Sequence, residues 1–165
     1  MSKLVEIRMT PFVERFYKKA DGDSKKEICE KIYDESQRLE KLTLKEIHAE
    51  VDELLEGMES SCAKCPKPLC CYYEIKVSKG EKELLKDRPD TNTGPGCRYL
   101  KNGRCSVYND RPLTCRTRHV RSAPAMCDPK LKVAVMEAYV PKLELLLSAF
   151  YTNAKEMVNL NEHKS

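Results

Sequence analysis

The chain has 165 residues, 41% of them hydrophobic and 34% charged, and a formal net charge of +4. That length holds one domain, or one and a small appendage, with apolar residues for a modest core. The longest apolar stretches, near 133–140 and 143–150, are interrupted by Lys132, Glu137, Lys142 and Glu144. They fall short of the ~20 apolar residues a spanning helix needs, which excludes a membrane-spanning protein.

From the N-terminus, Thr10-Pro11 opens a short helix near 12–19, which Asp21-Gly22-Asp23 breaks. Ser24-Lys25-Lys26-Glu27 then has capping-box spacing and predicts a second helix carrying Ile28, Ile32 and Leu39. Cys29 on that helix reads as a half-buried small residue outside any metal site. Thr43-Leu44-Lys45-Glu46 repeats the box. It starts a third helix whose Leu44, Ile47, Val51, Leu54 and Leu55 follow the spacing of one buried stripe, with His48 on the surface and an end near Gly57.

At the other end, Asp128-Pro129 caps a helix running toward Val140, and Pro141 must kink or restart it. Leu143, Leu146, Leu147, Phe150, Ala154, Met157 and Val158 then form a further helical stripe, to which Tyr139 and Tyr151 add aromatic mass. Helix packing explains such stripes without any ligand. No internal repeat or low-complexity tract is present.

Between these flanks the character changes. Eight of the nine cysteines, Cys62, Cys65, Cys70, Cys71, Cys97, Cys105, Cys115 and Cys127, fall in one stretch rich in Pro, Gly, Asn and Asp. Such a stretch buries little hydrocarbon and needs a staple. Soft thiolates converging from short spacings bind zinc, iron or an iron–sulfur cluster. Disulfides compete as an explanation, but the N-terminal residues lack the 7–15-residue apolar run of a secretory signal. The expected compartment is therefore a reducing cytoplasm.

Charge follows the same division. Residues 62–127 hold 14 Lys and Arg against 6 Asp and Glu, whereas 1–61 hold 11 against 15 and 128–165 hold 5 against 5. The central surplus offsets the negative charge of thiolate–metal centres. A nucleic-acid surface is the rival reading, disfavoured because Arg104, Arg111, Arg116, Arg118 and Arg121 crowd around cysteines and form no separate run.

Cys62-x-x-Cys65 can place two sulfurs on one ion, while the side chains of adjacent Cys70 and Cys71 are expected to diverge. Residues 97–108 read as two short strands around Asn102-Gly103, which sets Cys105 opposite Leu100. If the strand is extended, Cys97 lies on the order of 10 Å further along at ~3.3 Å per residue, so the two need not share an ion. Eight cysteines divide into two four-sulfur sites, or one cluster uses four and leaves the rest structural or reactive; spacing leaves that open. His119 stands at ligand spacing from Cys115, but the cysteines already suffice, and it reads as solvent-facing, as does His163. Arg111, Arg116 and Arg118 are the candidates to donate hydrogen bonds to sulfur.

The order Cys-x-x-Cys, Cys-Cys, Cys97-x-Tyr99-Leu100-x-x-Gly103-x-Cys105-x-Val107-Tyr108-x-x-Arg111-Pro112-x-x-Cys115-Arg116 and a final cysteine resembles the bacterial and archaeal cysteine-cluster family of zinc- or iron-chelating domains, over residues 62–128. One departure is visible: Pro66-Lys67-Pro68-Leu69 puts four residues before the Cys-Cys pair where the family usually has two. The resemblance implies metal binding. It also implies, through relatives resembling flagellin lysine methylases, iron–sulfur-dependent methyl transfer from S-adenosylmethionine. Residues give that enzymatic reading no independent support, since Gly94-Pro95-Gly96 lacks the spacing and context of a nucleotide-cradling loop.

The expectation is thus a mainly α protein: an N-terminal helical segment (1–61), a small irregular metal-stabilised cysteine module with a short β-hairpin (62–128), and a kinked C-terminal helix (129–165) on the same core. Its expected function is metal binding, by an iron–sulfur cluster in slight preference to zinc, because one CxxC with scattered further cysteines differs from the paired knuckles of zinc ribbons. Iron would carry electron transfer or an enzymatic step; zinc would make a structural or protein-partner-binding module.

Overall fold

The computed structural model describes residues 13–14, 17–18, 24–58, 65, 69–118, 124–127, 130, 140–154 and 156–162. The protein is mainly helical, with two short two-stranded antiparallel ladders. The chain forms two compact units, Met1–Leu54 with Tyr139–Lys155, and Leu55–Ala138 with Glu156–Ser165. No described helix is long and apolar enough to cross a membrane.

Both predicted capping boxes of the first unit are present. The Ser24 hydroxyl accepts from the Glu27 N–H while Glu27 Oε2 accepts from the Ser24 N–H at 2.7 Å, opening α1 (Lys25–Leu39). Thr43 and Glu46 make the same reciprocal pair before α2 (Leu44–Leu55). Each box satisfies orphan N–H groups of a first turn, so local sequence suffices to fix where the helix begins. Gly57, at φ +73°, sits just past the end of α2 in the left-handed conformation that glycine adopts without strain.

Ile28, Ile32, Ser36 and Leu39 form the buried stripe of α1. It packs on α5 (Pro141–Asn153), where Asn153 Nδ2 donates to the Ser36 carbonyl at 2.9 Å. Pro141 opens this helix: it occupies the first turn, where no N–H is needed, after Val140 in extended conformation. Arg38 forks between Glu35 and Glu50, joining α1 to α2. His48, read from sequence as a surface residue, is buried. The buried face of α2 centres on Ile47, His48, Val51 and Leu55, with Leu44 and Leu54 only half-buried at its margins, a rotation of the stripe that spacing alone did not show. Cys29 is half-buried as expected, with Tyr17 Oη 2.8 Å from its sulfur. The Asp128-Pro129 helix and Tyr139 lie outside the described residues.

The predicted helical stripe beyond Phe150 is overturned at its end. Helix α5 stops at Asn153, Ala154 turns extended at ψ 95°, and Met157–Asn159 is a strand of the second unit. Labelled β4, it pairs with β1 (Lys76–Ser78) so that Val77 faces Val158. Paired β-branched residues suit a pleated surface better than a helix. Leu160 follows into the core, and its N–H bonds the Ile75 carbonyl at 2.8 Å.

Helix α3 (Lys79–Leu84) opens on a third, buried capping box, Ser78 with Glu81. The other oxygen of that carboxylate, Oε1, accepts the Leu113 N–H at 2.7 Å, and so fixes the start of α4 (Leu113–Arg116). Thr114 Oγ1 adds a bond to the Lys76 carbonyl. Hairpin β2 (Leu100–Lys101) and β3 (Arg104–Cys105) has the register anticipated, Leu100 opposite Cys105. Asn102 and Gly103, at φ 49° and 73°, both adopt the positive φ that a type I′ turn requires. Ile75, Val77, Leu85, Cys97, Tyr99, Val107 and Leu160 form the core of this unit.

Candidate functional site

Four cysteines far apart in sequence are brought to that core. Cys97 is one of its buried members, and Cys71, Cys105 and Cys115 pack against it from the 3-10 turn Leu69–Tyr72, from β3 and from α4. Cys70 joins them through Cys71: contrary to the expected divergence, the two thiols hydrogen-bond to each other within the tight turn. Cys97 does not continue the hairpin as an extended strand either. The Leu100 N–H bonds the Cys97 carbonyl at 2.9 Å, closing a turn, and Cys97 lies in the core against which Cys105 packs.

Asn92 organises the loop that delivers Cys97. Its Nδ2 donates to the carbonyls of Pro95 and Cys97, its Oδ1 accepts from Gly94, and Arg98 is anchored on Asp90 at 2.5 and 2.6 Å. The Cys97 N–H then donates to the Cys71 carbonyl at 2.6 Å, locking the Cys70–Cys71 turn against this loop. Gly96 permits that approach. Its φ is +101°, and a Cβ there would meet the Tyr72 ring at 3.0 Å and the Cys71 carbonyl at 3.3 Å.

Burial raises the thiols of Cys97 and Cys105 and pushes Cys115 up to about 12, and each developing thiolate further disfavours its neighbours. Opposing this, the backbone N–H of Tyr99 points at the Cys97 sulfur and that of Val107 at the Cys105 sulfur. Cys70 is held low, to about 6, by the hydrogen bond from Cys71, with help from the Arg118 charge; the same bond raises Cys71. Arg111 acts likewise on Cys105, and Arg98 on Cys97. Of the arginines singled out from sequence, Arg116 differs: it is buried and donates to the Asn109 carbonyl at 2.7 Å, a structural bond.

Cys65 and Cys127 are half-buried, and Tyr73 Oη donates to the Cys127 carbonyl at 2.6 Å, two residues past Cys71. Cys62, His119, Arg121 and His163 lie outside the described residues. The eight described cysteines form no disulfide with one another. Among the described residues no three Cys, His, Asp or Glu side chains already converge as an ion's ligand set. Chemically, the arrangement is a set of neighbouring, mostly neutral thiols on an apolar core, with backbone N–H groups directed at some of the sulfurs and cationic side chains that favour their thiolate forms.

Sequence reading missed Glu81 and Asn92, the residues that position Cys115 and Cys97. The Ser78-x-x-Glu81 spacing was a legible cap signal. The second bond of Glu81, to Leu113, carries no local signal. Comparison with known protein families, curated proteins and solved structures returned no match to the chain. The resemblance to cysteine-cluster proteins therefore rests on the motif residues themselves.

Proposed function

We propose that the second unit is a thiolate metal-binding module, holding an iron–sulfur cluster in preference to zinc, with Cys70, Cys71, Cys97, Cys105 and Cys115 as the described residues that would hold it. The observation that carries this reading is the gathering of Cys71, Cys97, Cys105 and Cys115 from four separate segments into one core, with Cys70 beside Cys71 and backbone N–H groups directed at the sulfurs of Cys70, Cys97 and Cys105. The donor set fits a soft cation: N–H groups and arginines stabilise sulfur only in its anionic form, which metal binding enforces by displacing protons. A bound cluster would supply one-electron chemistry, and zinc a structural staple.

The basic surplus supports the same reading over a nucleic-acid surface. Arg98 is paired with Asp90 and Arg88 with Asp110, while Arg111 and Arg118 direct charge toward thiols. Replacing one thiol tests the assignment: Cys105→Ser is expected to lower metal content per chain and the melting temperature together, as measured by metal analysis and thermal unfolding. Wild-type values for both would contradict it.

A further inference from the structure

The backbone on both sides of Cys97 is tied down, and one of the ties comes from the C-terminal strand. On the N-terminal side, the Cys97 N–H donates to the Cys71 carbonyl at 2.6 Å. On the other side, a single peptide group joins Cys97 to Arg98. Its carbonyl accepts from Asn92 Nδ2 at 3.1 Å and from the Leu100 N–H at 2.9 Å, and its N–H donates to Asn161 Oδ1 at 3.1 Å. Peptide groups are planar, so holding these donors and acceptors fixes the planes that flank the Cys97 Cα. The direction of the Cα–Cβ bond is then set, and the sulfur keeps only the staggered positions of χ1.

Cys71, Asn92 and Leu100 belong to the cysteine-bearing stretch itself, whereas Asn161 follows β4 and lies beyond the last cysteine. It is itself braced. Its N–H donates to Asn159 Oδ1 at 2.9 Å, and Lys82 Nζ donates to the carbonyls of Asn159 and Glu162, each at 2.9 Å. Leu160 beside it is buried in the core of the unit, with its N–H on the Ile75 carbonyl. The Asn161 acceptor is thus held in place before it meets the Arg98 N–H, and little side-chain freedom is lost in making that bond.

We propose that Asn161 is a positioning residue of the thiolate centre: by holding the Cys97–Arg98 peptide from the C-terminal strand, it keeps the Cys97 sulfur in place for metal. The inference rests on the metal-binding reading and adds that a residue outside the cysteine-bearing stretch governs how tightly metal is retained. A thiolate already placed binds without first being ordered, so loosening its backbone shows as faster metal loss.

The test uses the full chain, loaded without oxygen with iron and sulfide or with zinc, and follows release of that metal to a chelator. Asn161→Leu keeps the size of the side chain and removes the acceptor. It is expected to weaken retention by about tenfold, the low end of the cost of removing a group that orients a metal ligand. Asn161→Asp restores an acceptor oxygen at the same position and is expected to recover most of the loss, which a role in packing alone would not give. Wild-type chain that holds metal while Asn161→Leu retains it equally overturns this inference alone, as does an equal loss in Asn161→Leu and Asn161→Asp. Wild-type chain that takes up neither metal overturns the metal-binding reading with it. If Asn161→Leu does not fold, Lys82→Met, which frees the carbonyls of Asn159 and Glu162 on either side of Asn161, is expected to weaken retention in the same direction by less, and unchanged retention there overturns the proposal.

Discussion

Tyr17 carries a phenol pushed up to about 12 by partial burial, then by its hydrogen bond with Cys29. Because the folded state favours the neutral phenol, that contribution is intact below pH 10 and is lost as pH rises from about 10 to about 12. In the ultraviolet phenolate titration, the difference between wild type and Tyr17→Phe is expected to show a late step near 12, moved toward 10 in Cys29→Ala. A wild-type step already at the ordinary tyrosine value would contradict the contact. At this scale, what was legible was local. The Ser24 and Thr43 caps need only a partner three residues away, and both are found where spacing put them. The burial of His48 and the meeting of the Cys70 and Cys71 thiols depend on tertiary surroundings and a tight turn that composition does not encode.

Among the elements, the hairpin at Asn102-Gly103 was legible because its turn chemistry is self-contained, down to the Leu100–Cys105 register. Strands β1 and β4 were not. Their pairing joins the residue after Ile75-Lys76 to a tail that otherwise continues a helical stripe, and only the long-range match of Val77 to Val158 decides against the helix. The loop before the hairpin is equally dependent on contacts across the unit, and Gly96 is where that dependence can be measured. Gly96→Ala places a Cβ against Tyr72 and the Cys71 carbonyl at a φ that L-residues avoid. It is expected to cost about 2 kcal/mol from strain alone, read as a lower denaturant midpoint with unchanged slope. An unchanged midpoint would mean that the Cys97–Cys71 backbone contact does not constrain the fold.

For the whole molecule, the two compact units divide the chemistry as well as the contacts. The first is helix-on-helix packing, legible from periodicity because each stripe buries itself on a neighbour. The second has little regular structure, and its core recruits Cys97 as a buried member and Cys71, Cys105 and Cys115 as half-buried ones, so spacing announced the thiols but not which of them meet. That apportioning comes from Asn92, Gly96 and Glu81, none of which bears chemistry itself. The most direct test of a thiolate centre is metal and sulfide analysis, with an ultraviolet–visible spectrum, of chain purified without oxygen. Iron with acid-labile sulfide and a broad band near ~400 nm is the predicted result. A colourless chain with stoichiometric zinc would keep the centre and change its ion, whereas a chain with neither metal would contradict the account.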